Sequence, residues 1–362
     1  MKWRDDLLRP QANNFTLVRL VLASSVIYTH SYEAVLGMGG GDAFTGLLGA
    51  PISVYAVDGF FFLSGFLVYP SLLRLGSIRR FLIARFTRLW PGLALAVGLT
   101  VLGGAFVTAA DGLSYLGGDT TTFILGNLSF VKGAYTLTGV NCGDQPCNIN
   151  GSLWTLPWEA RCYAVLALCA AVGLAKPRLM LMLVLPLTYL CSVVWHFEVV
   201  QDWADATLSE GLLHYIDVAD RLWTLFALGV GAYIVRHRLP LSWLIAAALF
   251  GLNLLSMAID VEIHARALFI GYGVLCLGLL SAEKRSISGK WPDYSYGMYI
   301  YAFPVMVALH ALMGQPTYVT LALATFACTL PFAMISWHFV EKPALDLLKR
   351  HRAAKTASAA AT

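Results

Sequence analysis

Charge is scarce in this chain of 362 residues: Asp, Glu, Lys and Arg together make up 13% of it, roughly half of what a soluble domain carries. So few charges cannot clothe a water-facing surface. The residues AVILMFWYC reach 58%, above the roughly 45–50% that soluble domains attain even with glycine counted. No soluble domain is evident, and no internal repeat stands out, which disfavours transporters built from inverted repeats. Nucleic acid is not expected as a partner.

What the chain has instead is a succession of apolar runs of about 20 residues, the length that crosses a hydrocarbon core about 30 Å thick. Ten are read, at about 15–36, 51–70, 89–110, 152–174, 179–198, 215–235, 240–258, 264–281, 291–312 and 317–338. Backbone groups in lipid must be satisfied within their own segment, so these runs are expected to be helices. The fold expected is an all-α polytopic membrane protein with about ten transmembrane helices. Residues 1–343 form the membrane domain and 344–362 a short tail.

The net charge of +4 is unevenly placed. One set of alternate connections holds Lys2, Arg4 and Arg9; Arg74, Arg79, Arg80, Arg85 and Arg88; Lys176 and Arg178; Arg236 and Arg238; Lys284, Arg285 and Lys290; and a tail with Lys342, Lys349, Arg350, Arg352 and Lys355. The other set has only Lys132 and Arg266 among basic residues, with Asp42, Asp111, Asp119, Asp144, Glu198, Asp202, Asp205, Glu210, Asp260 and Glu262. The positive-inside rule then places both termini in the cytoplasm. The opening run resembles a secretory signal, but Arg19 and His30 lie within it and no small-residue cleavage site follows, so it is expected to stay.

Five of the seven cysteines, Cys162, Cys169, Cys191, Cys276 and Cys328, fall in apolar runs as small buried residues. Cys142 and Cys147 sit in a polar external stretch, Asn141-Cys-Gly-Asp-Gln-Pro-Cys-Asn148, where oxidation is permitted. No nearby histidine or cysteine completes a four-ligand zinc site. A disulfide is expected there, and no metal.

Ionisable residues inside spans are costly and mark function by default. Arg19 and His30 are 11 residues apart on the first run, three turns plus about 20°, so they share a face with a rise of about 16 Å. Asp58 and Glu159 lie about two turns below the outer ends of the second and fourth runs, the depth of His30. A histidine with carboxylates at its level suits a base held in one tautomer. The same placement also suits a polar network tying helices together, or a proton relay. The stretch from Arg74 to Pro91 is the densest basic patch. Arg85 and Arg88 at i, i+3 suit phosphate, although topology charge facing lipid headgroups places the same residues there. Pro91 suits the first turn of a helix.

Several strings together resemble the acyltransferase 3 family of integral membrane O-acyltransferases. Arg19 and His30 match its Arg-x10-His element, and Ala56-Val-Asp-Gly-Phe-Phe-Phe-Leu-Ser-Gly-Phe-Leu67 its second-helix motif with Asp58, Ser64 and Gly65. Arg85-Phe-Thr-Arg88 with Trp90-Pro91 is similar to its basic segment. Ser152-Leu-Trp-Thr-Leu-Pro-Trp-Glu-Ala-Arg-Cys-Tyr163 resembles a stretch that maps Trp154, Glu159 and Tyr163. Tyr294 to Pro304 and Phe339-Val-Glu-Lys-Pro343 look like the closing motifs. One departure is Ala302, where many members have a histidine.

The resemblance implies a multi-pass protein of the bacterial inner membrane that moves an acyl group, acetyl foremost, from cytoplasmic acyl-CoA to a glycan or saccharide hydroxyl outside. It implies no permanently bound cofactor. His30, Asp58 and Glu159 would be catalytic, Arg19, Arg85 and Arg88 would serve the donor, and Ser64, Trp154 and Tyr163 the acceptor. A transporter or flippase of a lipid-linked sugar is the alternative reading of the same intramembrane groups. Oligomeric state is left open.

Overall fold

Apolar runs of this length satisfy their own backbone as helices, and the computed structural model is accordingly 79% helical and nearly all-α. It describes residues 5–37, 41–257, 262–282 and 286–360. Lys2, Arg4, Asp260, Lys284 and Arg285, which enter the charge alternation, lie outside the described residues.

The principal helices are α1 (Phe15–Leu36), α2 (Ile52–Leu75), α3 (Ile78–Gly104), α4 (Gly118–Leu128), α5 (Thr155–Ala171), α6 (Pro177–Trp195), α7 (Glu198–Thr207), α8 (Glu210–Val235), α9 (Trp243–Met257), α10 (Glu262–Leu275), α11 (Ser295–Met313), α12 (Tyr318–Ser336) and α13 (Lys342–Ala360). Each of the ten apolar runs falls on one of them. Among the described residues, six helices are long and apolar enough to cross a membrane: α2, α3, α6, α8, α11, and α12 with its continuation to Ala354. Many large apolar side chains on these helices are exposed, including Phe86, Leu187, Leu190 and Leu323, as a lipid-facing surface requires.

Two expectations about the start of α3 are corrected. The basic stretch is not a loop before a helix: α3 begins at Ile78 and carries Arg79, Arg80, Arg85 and Arg88 on one continuous rod. Pro91 therefore sits in its interior rather than its first turn. The backbone hydrogen bond that proline removes is a local loss, which neighbouring helices can offset in a packed membrane domain. The tail after residue 343 is helical, within α13.

The chain divides into two units. Unit 1 comprises 1–22, 43–81 and 161–291, and unit 2 comprises 23–42, 82–160 and 292–362. In unit 1, Phe15, Phe62, Leu63, Phe66, Leu275 and Leu279 form a buried core, with the Phe62 and Phe66 rings stacked at 6.4 Å between centroids. Helices α2 and α8 cross at backbone contact: a Cβ on Gly65 would collide with the Phe226 carbonyl, and one on Gly229 with the Phe62 carbonyl. Small residues at such crossings let packing replace the hydrophobic effect that lipid does not supply.

In unit 2, α11 packs against α12 with Gly297 against Ala333. Asn150 donates to the Ile300 carbonyl at 2.9 Å, and the Thr155 and Tyr299 hydroxyls are 2.9 Å apart. The long connection before α5 is ordered by α4, with Phe123 fully buried, and by a hairpin pairing Asn141–Cys142 with Gln145–Pro146. Cys142 and Cys147 close it as a disulfide with Cα atoms 4.7 Å apart.

Candidate functional site

The helical register of α1 places Glu33 one turn after His30, and the two side chains meet: His30 Nδ1 lies 3.1 Å from Glu33 Oε2. A neutral imidazole that donates from Nδ1 to a carboxylate keeps Nε2 as its basic nitrogen. The ring also stands edge-on to Phe303, 5.1 Å between centroids. Beside it is a small cavity of about 10 Å³ bordered by His30, Ser152, Tyr299, Ala302, Phe303 and Thr325. Ala302, where many family members carry a histidine, therefore faces the space that His30 faces. The Glu33 contact was legible in sequence as an i, i+3 pair on a helix, but depth matching pointed to Asp58 instead.

Asp58 has partners of its own. It is 1% exposed, in unit 1, and Arg221 approaches its Oδ1 at 2.6 Å while Arg266 donates to its Oδ2 at 3.2 Å. Arg221 also donates to the Val54 carbonyl at 3.0 Å. This is a buried carboxylate neutralised by two guanidinium groups, an arrangement that removal of either sign would leave uncompensated. Arg221 falls within the expected span at 215–235, and that position was the available sign of its role, whereas Arg266, at the start of the run at 264–281, was counted with the connections.

Glu159 lies in unit 2, half-buried. Tyr299, which borders the His30 cavity, lies in the same unit. Arg19 is half-buried in unit 1, on the first part of α1.

Of the two arginines of α3 expected to serve the donor, Arg85 is half-buried. Arg88 is engaged within the protein: Nη1 donates to Glu341 at 2.8 Å and Nη2 to Asp293 at 2.9 Å. Its guanidinium also lies 5.5 Å from the Tyr296 ring centre and 5.6 Å from that of Trp337. The Ser64 and Tyr163 hydroxyls, both in unit 1, are 3.2 Å apart. Trp154 ends a 3-10 turn, Gly151–Trp154, and is half-buried in unit 2. Among the described residues, no group of three or more His, Cys, Asp or Glu side chains is arranged to hold a metal ion.

Comparison with known proteins points to the same family. The chain is 28% identical over 365 residues to nodulation protein 10 of Rhizobium leguminosarum bv. viciae, covering 92% of this chain and 94% of that protein. It is 26% identical over 349 residues to the O-acetyl transferase of Shigella phage Sf6, covering 92% and 96% respectively. No solved structure matches it. The family defined by an acyltransferase domain matches residues 13–338, nearly the whole multi-pass membrane chain, so the protein belongs to the acyltransferase 3 family and is an O-acyltransferase.

Proposed function

We propose that the protein transfers an acetyl group from cytoplasmic acyl-CoA to a hydroxyl of an extracytoplasmic glycan, within the bacterial inner membrane. About ten spans with both termini in the cytoplasm fit this reading, which rests there on the alternation of basic and acidic connections. The single observation that carries it is the His30–Glu33 pair at 3.1 Å beside a cavity bordered by Tyr299 and Thr325.

With Nδ1 committed to Glu33, Nε2 accepts the acceptor hydroxyl's proton as its oxygen attacks the thioester carbonyl. The carbon–sulfur bond breaks, and the imidazolium returns the proton to the thiolate. Glu33 stabilises the cation in between, and Glu159 adds negative charge nearby. Within unit 2, Arg85 serves the donor phosphates and Trp154 offers an aromatic face to a sugar. The O-acetyl transferase name of the phage relative supports acetyl as the group moved.

Purified protein incubated with acetyl-CoA and an oligosaccharide should release free thiol and add one acetyl mass to the glycan. Thiol release that requires no glycan, or glycan left unmodified, would sink the reading.

A further inference from the structure

Unit 1 holds an apolar cavity of about 500 Å³ that the reaction above does not use, within the roughly 300–1,000 Å³ of ligand sites. Helices α6, α8, α9 and α10 wall it, with Leu185, Leu228, Leu249 and Leu275 among the lining side chains. Leu181 and Leu268 border it and are exposed, so it opens at a surface read as lipid-facing. On α8 the lining runs from Thr224 to Val235, a rise of about 16 Å. That is roughly half of a hydrocarbon core about 30 Å thick, the depth of one leaflet.

One end of this cavity is basic. Helices α6 and α8 run antiparallel, with Trp195 donating to Asp217, Ser192 to Asp220 and Trp223 to Thr188, and Leu185 packs against Gly231. Continued, that register sets Leu181 near the level of Val235, both of which line the cavity. A turn further it brings Arg178 to the level of Arg236–Arg238, the 3-10 turn that follows α8. Other contacts join the same two segments. The Arg236 guanidinium lies 4.2 Å from the Tyr233 ring centre, that ring is 5.9 Å from the ring of Tyr69, and the Tyr69 hydroxyl donates at 2.8 Å to the carbonyl of Ala175, next to Lys176. Arg178 and Arg238 are exposed and make no ion pair among the described residues.

We infer that unit 1 holds an anionic phospholipid, with one acyl chain in this cavity and the phosphate of its head against Arg178 and Arg238. The inference stands apart from the transfer reaction and uses only the reading of α6 and α8 as membrane spans. An alkyl chain gains little by exchanging lipid for an apolar cavity, because both are hydrocarbon. Selection therefore falls to the head. Guanidinium forks suit phosphate, and two of them favour a head of net negative charge over a zwitterionic one, whose ammonium they repel. Topology charge alone would also set arginines among anionic headgroups, but it asks for no cavity beneath them. Here a cavity one leaflet deep ends at the arginines, so head and chain both lie at their ordinary levels in the membrane.

The test uses the full chain in phosphatidylcholine nanodiscs doped with phosphatidylglycerol that carries a diazirine in one acyl chain. After illumination, peptide mass mapping should find the label on Ala227, Leu228 and Ala232, which line the cavity. It should be about tenfold denser there than with the same diazirine on phosphatidylcholine, since each basic residue facing an anionic lipid contributes several-fold. Arg178→Gln combined with Arg238→Gln should lower the phosphatidylglycerol labelling to the phosphatidylcholine level. Arg178→Lys combined with Arg238→Lys should retain most of it, which separates charge from packing. Leu181→Trp, at the exposed rim, should cut labelling by either lipid by filling the mouth. Equal labelling by the two lipids would overturn the inference. So would label confined to outward residues such as Leu187 and Leu190, labelling untouched by Leu181→Trp, or a loss as large in the lysine pair as in the glutamine pair.

Discussion

Arg88 and Glu341, 253 residues apart in sequence, are joined by a hydrogen bond of 2.8 Å between Nη1 and Oε2, with Glu341 only 1% exposed. Two strings that resemble family motifs, Arg85-Phe-Thr-Arg88 and Phe339-Val-Glu-Lys-Pro343, thus meet in space. The widened π turn Trp337–Glu341 sets the carboxylate there, and Ser336 donates to its other oxygen at 2.9 Å. Gly92, one turn after Arg88, leaves room, since a Cβ there would press on Tyr296 and Glu341.

Arg88→Ala is therefore expected to act on the fold. It leaves Glu341 and Asp293 facing each other without a cation, a loss of about 3–5 kcal/mol for a broken buried pair. The thermal midpoint of the detergent-solubilised protein should fall, and a variant that melts with the parent would refute the structural role. Donor binding is tested cleanly by Arg85→Ala alone. Loss of a charge-assisted hydrogen bond worth about 1.5–3 kcal/mol should raise the half-saturating acetyl-CoA concentration at least tenfold. An unchanged value would return Arg85 to a topology signal.

His30→Ala should abolish transfer while the protein stays folded, since loss of positioned acid–base catalysis costs about 10²–10⁴ in rate. Glu33→Gln keeps a hydrogen-bond acceptor for Nδ1 but loses the charge that stabilises the imidazolium, so its rate should fall between parent and His30→Ala. The check is single-turnover acetyl transfer. Near-parental turnover in His30→Ala would reduce it to a helix-tying residue.

Asp58→Asn replaces a carboxylate shared by two guanidinium groups with a neutral amide, leaving Arg221 and Arg266 as neighbouring buried cations. A cost of about 3–5 kcal/mol is expected. Arg266→Met in the same chain should recover part of it by removing one excess charge. A double-mutant cycle on unfolding midpoints reads this coupling, and simple additivity would deny it.

The disulfide closes a loop across a sequence separation of five. Short loops stand at the low end of disulfide stabilisation, about 2 kcal/mol. Replacing Cys142 and Cys147 by serine should lower the thermal midpoint modestly and leave transfer intact. Peptide mapping without reduction should recover the two cysteines linked, and finding both as free thiols would contradict the structure and count against the external placement proposed for the loop.

Helices and their approximate limits were legible because a membrane span must satisfy its own backbone, so composition and run length alone announce it. The run at 15–36 coincides with Phe15–Leu36. Where length fails as a signal, so did the boundary: Arg79 to Arg88 look like a connection by charge, yet they continue α3, because polarity does not prevent a helix outside the hydrocarbon. The disulfide was legible for a local reason, two cysteines in one short polar stretch.

The sequence by itself picked out residues of the right chemical type, His30 with the carboxylates and arginines in spans, and the strings that resemble the family motifs. Only the tertiary structure decided their partners. Depth matching puts Asp58 and His30 at one level, but it carries no azimuth, and the structure gives Asp58 to Arg221 and Arg266 and His30 to Glu33. Pairing across a helix bundle depends on which face each helix turns to its neighbours. That is set by close approaches such as Gly65 against the Phe226 backbone, which no spacing along one chain reveals.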